Sequence, residues 1–263
     1  MSLVYIFVLV LSRGKNVKKT LMDFRKIPNI SVDCVVFGFA NDGISILLSK
    51  RMLHMHDDKY PVIDDWVLTG DHVLKSERLD ESAERIFSEL AGLGNIYKKQ
   101  FRTFGNPERI KNEKDLLWLK SRGVNPRVMS VAYYFLLPLS KIRMNHESVK
   151  WYPLNKLPQL GFDHQEIIER AFVDLKQRVM TEPVIFEFLD DKFTLNELQL
   201  AYESVFGIEI DNRNFRKKAI SKTYIVPLDE KRVVGGSKKP SNLYMFSRDI
   251  YDKTGNKNYI INI

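Results

Sequence analysis

Cysteine is almost absent from this chain. The one thiol, Cys34 among 263 residues, has no partner for an internal disulfide and cannot build a cysteine-based zinc site. A lone cysteine fits a reducing compartment. A bilayer-length apolar run is missing as well. The N-terminus, "MSLVYIFVLVLSRGKNVKK", holds only about ten apolar residues in a row, half of what a spanning helix needs. A secretory signal carries its positive charge before the apolar run, and here Arg13, Lys15, Lys18 and Lys19 follow it. Two readings of this extension stay open: a membrane-tethering segment, or an upstream-extended start with Met22 as the true first residue. No stable membrane association is expected, and a cytoplasmic location is.

What is present is a globular composition, 44% hydrophobic and 28% charged, of a length for one large or two modest domains. The net charge of +8 permits a polyanionic partner. Its distribution is more telling. Residues 180–210 carry seven acids against one base, and residues 211–248 carry ten bases against three acids. The basic part is short and local.

Along the chain, "SVDCVVFGF" (31–39) and "ISILLSKR" (44–51) predict two strands joined at "NDG" in a hairpin. Residues 52–65, with "HMHDD", read as a flexible loop rather than a metal site. "DESAERIFSELAG" (80–92) predicts a helix with Ala83, Ile86, Phe87, Leu90 and Ala91 on its apolar face, capped by Asp80 and Gly92. "VMSVAYYFLLPL" (128–139) predicts a long central strand. A polar insertion at 108–127 holds a short helix around "DLLWLK", and 149–162 begins with a strand. "DHQEIIERAFVDLKQRV" (163–179) predicts a helix opened by an Asp163/Glu166 capping box, with Ile167, Ile168, Ala171, Phe172 and Leu175 on one face.

After Pro183 the texture changes. "TLNELQLAYESVFG" (194–207) predicts a helix with a Thr194/Glu197 capping box. "DNRNFRKKAISK" (211–222) predicts a second, capped by Asp211. "TYIVPL" (223–228) and "LYMF" (243–246) then flank the basic tip "DEKRVVGGSKKPSN", where Gly235 and Gly236 allow a tight turn. Helix, turn, basic helix, hairpin is the order of a winged helix-turn-helix.

"WVLTGDHVLKSERLDESAERIFSELAGL" (66–93) resembles a Nudix box, G-x5-E-x7-R-E-U-x-E-E-x-G-U, with its spacing intact. Asp71 stands at the first Gly, Glu77 at the first Glu and Arg85 at the Arg. The three acids that would hold Mg²⁺ or Mn²⁺ on one helix face fall at Ile86, Glu89 and Leu90. Two of the three are apolar, so metal-dependent pyrophosphate hydrolysis is not expected. Arg85 and Glu89, spaced i, i+4, also suit a structural pair.

Most of the chain, from about Ser31 to Phe246 and above all its second half, resembles the Nudix-related transcriptional regulators of the NrtR type and their sugar-responsive relatives. "RVMSVAYYFLL", "LPQLGFDHQEIIERA", "EPVIFEFLDDKFTLNELQLAYESVFG", "DNRNFRKKAI" and "SNLYMF" carry that resemblance. The N-terminal extension, the insertion at 108–127 and the tail depart from it. The resemblance implies an α+β protein: a Nudix-like α/β/α sandwich with a mixed sheet (30–160), a connector helix (161–181) and a winged helix-turn-helix (182–248), between an extension (1–29) and a tail (249–263). It implies a homodimer on pseudo-palindromic operator DNA, switched by a small effector, with no catalytic residue, metal or cofactor. Pentoses such as arabinose are favoured over ADP-ribose because the metal acids are gone. Expected DNA contacts are Arg213, Asn214, Arg216, Lys217 and Lys218 on the basic helix, and Lys231, Arg232, Lys238 and Lys239 on the wing. Expected effector contacts are Arg51, Trp66, Asp71, Arg85, Glu89 and Arg109. The alternatives are a divergent Nudix hydrolase that recruits Mg²⁺ through Glu77, Glu81 or Glu84, and a nucleic-acid-binding module without an effector.

Overall fold

A computed structural model describes residues 26–55, 59–142, 147–233 and 239–254. The chain divides into two compact units: residues up to 37 with 45–135 and 142–171, and residues 38–44, 136–141 and 172 onward.

β1 (Lys26–Ala40) and β2 (Gly43–Leu53) form the expected hairpin. Gly43 takes a φ of 109° after the Asn41-Asp42 turn, a conformation that a side chain would strain. β3 (Ile63–Val67), β4 (Thr69–Leu74), β5 (Tyr97–Phe104), β6 (Met129–Pro138) and β7 (Val149–Pro153) complete a seven-stranded sheet ordered β3-β2-β1-β6-β5. β4 pairs with the first half of β1, and β7 with the first half of β2. β6 is buried from Ser130 to Pro138, as an interior strand covered on both faces must be. The segment expected as a loop at 52–65 is shorter than predicted, because β2 runs to Leu53 and β3 opens at Ile63. His56, Asp57 and Asp58 of "HMHDD" lie outside the described residues.

α1 (Leu79–Ala91) buries Ala83, Ile86 and Phe87, and Phe87 stacks on Phe135 of β6 at 4.5 Å. Its cap differs from expectation: Arg78 is the cap, its N–H donating to Glu81, and Asp80 is already helical. Gly92 ends it in the left-handed region. α2 (Glu113–Ser121) fills the polar insertion, with Asn112 accepting from the Lys114 N–H. α3 (His164–Val179) buries Ile167, Ile168, Ala171, Leu175 and Val179. The expected Asp163/Glu166 box does not hold it: the Asp163 carboxylate is taken by Arg109, and Glu166 pairs with Arg170.

In the second unit a short 3-10 turn, Pro183–Phe188, precedes α4 (Leu195–Phe206) and α5 (Asn212–Ile220). The Thr194/Glu197 box caps α4, and Gly207 closes it at φ 69°. Phe215 of α5 is fully buried against Tyr202 of α4, and burial of such a ring stabilises by roughly 1.5–3 kcal/mol. β8 (Ile225–Arg232) and β9 (Ser241–Phe246) pair as an antiparallel ribbon. Both run further into the basic tip than expected. Phe193 and Tyr244 exchange backbone hydrogen bonds of 2.9 and 2.8 Å, which adds a one-residue third strand. α6 (Arg248–Thr254), which the sequence did not suggest, packs Tyr251 on the edge-to-face pair Phe246 and Tyr224. Among the described residues no helix is long and apolar enough to cross a membrane.

Candidate DNA interface and effector site

α5 is amphipathic in the sense a recognition helix requires. Phe215 and Ala219 point inward, and Arg213, Asn214, Lys217 and Lys218 are exposed. Spacing of i, i+4 places Arg213 and Lys217 on one outward row, with Asn214 and Lys218 beside it. Asp211 caps the helix by accepting the Asn214 N–H at 2.8 Å. The turn before it is fixed from α4: Gln199 donates to the Ile210 carbonyl at 2.9 Å, Glu203 accepts the Ile210 N–H at 2.9 Å, and Asn212 donates to Gln199. The turn between the two helices is thus fixed by side chains of α4 and α5.

The remaining basic candidates divide. Arg216 turns back toward α4 and donates to Asn196 at 3.3 Å. Arg232 donates to both oxygens of Glu197, at 2.7 and 2.6 Å, so the wing is braced on the α4 cap. Lys231, near the end of β8, and Lys239, just before β9, are exposed. Lys238, Gly235 and Gly236 lie outside the described residues.

On the Nudix-like helix, Arg85 gathers carboxylates. It donates to Glu77 at 2.5 Å and lies 3.5 Å from Asp71 and 3.7 Å from Glu89. The Arg85–Glu89 pair expected from spacing is therefore present. Glu77 sits below the usual carboxylate range: burial opposes this, and the Arg85 guanidinium and Leu74 N–H overcome it. Glu89 is exposed, Leu90 half-buried, and Ile86 part of the core. The acids that a divergent hydrolase would recruit are occupied: Glu77 by Arg85, Glu81 by the cap of α1, Glu84 by Lys98. A hard divalent cation does not fit this helix face, since Ile86 and Leu90 offer it no oxygen. No group of three or more potential ligands that could hold a metal occurs among the described residues.

Arg51 and Arg109 do not join that cluster. Arg51, with its side chain 2% exposed, bridges Asp65 and Asp115, and Phe162 covers its guanidinium at 4.4 Å. Two hydrogen-bonded carboxylates hold its pKa above the ordinary value against the effect of burial. Arg109 is likewise buried rather than exposed on a loop. It donates to both oxygens of Asp163, at 2.8 and 2.6 Å, and stands 3.7 Å from Asp33. Asp33 also accepts the Ser130 hydroxyl and faces His164 Nε2 at 3.9 Å. His164 Nδ1 accepts the Leu68 N–H at 2.8 Å, and burial pushes this imidazole below its usual pKa.

These networks converge on "LGFDH". Leu160 bridges Trp66, the Gly161 N–H donates to the Trp66 carbonyl at 3.0 Å, and the Phe162 N–H donates to Asp115 at 3.1 Å. A Cβ at Gly161 would collide with the Arg51 guanidinium. Phe162 has a φ of 57°, a strained value for a bulky residue that only surrounding contacts can impose. Trp66 is half-buried, edge-on to Tyr152 at 5.1 Å.

Sequence reasoning missed α2's contribution. Trp118 meets two guanidinium groups, Arg51 at 5.8 Å and Arg122 at 4.2 Å. The pattern "LLWLKSR" held the signal, an aromatic four residues before an arginine at a helix end.

With this geometry in view, the similarities of the chain are specific. Residues 185–246 match the family model of the NrtR DNA-binding winged helix domain. The chain is 26% identical over 229 residues, 86% of its length and 84% of the relative's, to the "ADPR responsive transcriptional repressor NtrR" of Acinetobacter baylyi. It resembles the crystal structure of Shewanella oneidensis NrtR complexed with a 27mer DNA: TM-score 0.67, 26% identity, 85% of this chain and 95% of that one. A MutT/nudix family protein from Enterococcus faecalis shares the fold at a TM-score of 0.62 and 22% identity, over 84% and 89% of the two chains. The two-unit fold, a Nudix-like domain followed by a winged helix, is similar to that of these regulators. Residues 185–246 carry the NrtR type of DNA-binding winged helix domain, as a DNA-binding regulator does.

Proposed function

We propose that this regulator binds operator DNA through α5 and the wing, and that an ADP-ribose-type nucleotide sugar bound to the Nudix-like unit changes its operator affinity. One observation carries the DNA part: the exposed row Arg213–Lys217, with Asn214 beside it, on a helix whose inner face is fully packed. Exposed Lys and Arg contacts to phosphate supply affinity, and Asn or Arg at base edges supplies choice. The pentose preference drawn from the lost metal acids is replaced here. Losing a metal removes hydrolysis without removing affinity for the substrate, and the Acinetobacter relative is described as ADPR-responsive. A homodimer on two half-sites fits a single nine-residue reading helix per chain, which spans too few bases alone.

The test is a gel-shift titration on DNA selected from a random pool, with and without ADP-ribose and with arabinose. ADP-ribose is expected to change the apparent Kd at least fivefold and arabinose to leave it unchanged. Equal affinity in all three conditions sinks the effector reading, and failure to select any DNA sinks the operator reading.

A further inference from the structure

The guanidinium of Arg122 is held in place yet has no carboxylate. It ends α2 as its C-cap, lies 4.2 Å from the centre of the Trp118 ring, and is exposed. No acid within ion-pairing distance of it occurs among the described residues, whereas Arg51, Arg85 and Arg109 are each committed to two or more. The Arg51 guanidinium stands 5.8 Å from the same ring, and Phe162 stands beyond Arg51 at 4.4 Å. Phe162, Arg51, Trp118 and Arg122 form one chain of ring–cation contacts. Its inner end is locked by Asp65 and Asp115, so its outer member rests on a fixed platform.

Arg122 also lies within electrostatic reach of the degenerate box. The charge of Asp71, at the box's first position, acts on it, while burial by its neighbours draws its pKa below the ordinary value. Its platform thus shields one side of an exposed cation that lies within electrostatic reach of Asp71. A guanidinium restrained on an aromatic ring loses little entropy on binding, and its planar fork matches two phosphate oxygens. Partial desolvation strengthens that pairing further.

We infer that Arg122, seated on Trp118, is the group that takes the phosphate oxygens of the effector. The assignment rests on the effector reading above and adds to it where the diphosphate is held. The α2 insertion then belongs to the effector site, and Trp118 reports occupancy.

Titration calorimetry of the full chain with ADP-ribose and with ribose 5-phosphate tests this. Arg122→Gln is expected to weaken both by roughly 10- to 100-fold, the usual effect of losing charge-assisted bonds. The melting temperature of the free protein should stay unchanged, because Arg122 holds no internal ion pair. Arg122→Lys keeps the charge without the fork and should fall between the two. Trp118→Leu keeps the charge without its platform and should weaken binding about tenfold while abolishing the fluorescence change on binding. ADP-ribose affinity within twofold of the parent in Arg122→Gln overturns the assignment alone. A parent protein that binds neither probe overturns it together with the effector reading.

Discussion

In the Nudix-like unit the guanidinium groups of Arg51, Arg85 and Arg109 turn onto carboxylates of their own chain. In the winged helix Arg213 and Lys217 turn to solvent with nothing between them and a partner. The residue type is the same, and burial decides its work. A buried cation is part of the architecture, because leaving water must be compensated by fixed acids. An exposed one over a packed inner face is available for a polyanion. Arg122 resembles the second class inside the first unit, and Arg232, bound to Glu197, resembles the first class inside the second.

The hardest way to break this contrast is at Arg51. Arg51→Met leaves Asp65 and Asp115 buried without their counter-charge, and should cost about 3–5 kcal/mol in a urea titration. Adding Asp65→Asn and Asp115→Asn should recover most of it. A loss under 1 kcal/mol in the single variant would show the network to be dispensable. Next, Arg213→Ala should weaken DNA binding by roughly 10- to 100-fold with no change in melting temperature. The contrast fails if both properties fall together.

A gentler probe is acid. His164 is held neutral, with its folded pKa below the unfolded value of 6.5. The unfolded chain therefore binds the extra proton. The stability this imidazole contributes is complete above that unfolded value and is lost as the pH falls from it toward the depressed folded value. A melting temperature that drops across this window, and drops less in His164→Gln, is the expected record. The smallest effect is expected at the wing: Arg232→Ala should leave DNA affinity within about twofold, since its guanidinium serves Glu197. A tenfold loss would move Arg232 into the interface.

Much of the winged helix was legible because its signals are local. The Thr194/Glu197 box, the Asp211 cap, Gly207 and the inward Phe215 and Ala219 are each fixed by neighbours in sequence. The Nudix-like unit was legible where spacing mattered, as in the Arg85–Glu89 pair, and obscure where partners lie far apart. Arg51 meets Asp115 across 64 positions, and Arg109 meets Asp163 across 54. No periodicity marks such contacts. Asp163 illustrates the cost: it stands at the right place for a cap, yet a distant arginine claims it. β3, β4 and β5 were missed because their faces are half-buried, without a clean alternation of apolar and polar residues.

Arg85, placed among Asp71, Glu77 and Glu89, has a further consequence. Enzymes that rely on a divalent ion to balance such acids lose that balance when the ion is chelated. Here the balancing charge is covalently part of the helix, so it cannot be exchanged, titrated near neutrality or scavenged. The shape of this region therefore rests on a positive charge that the chain itself carries.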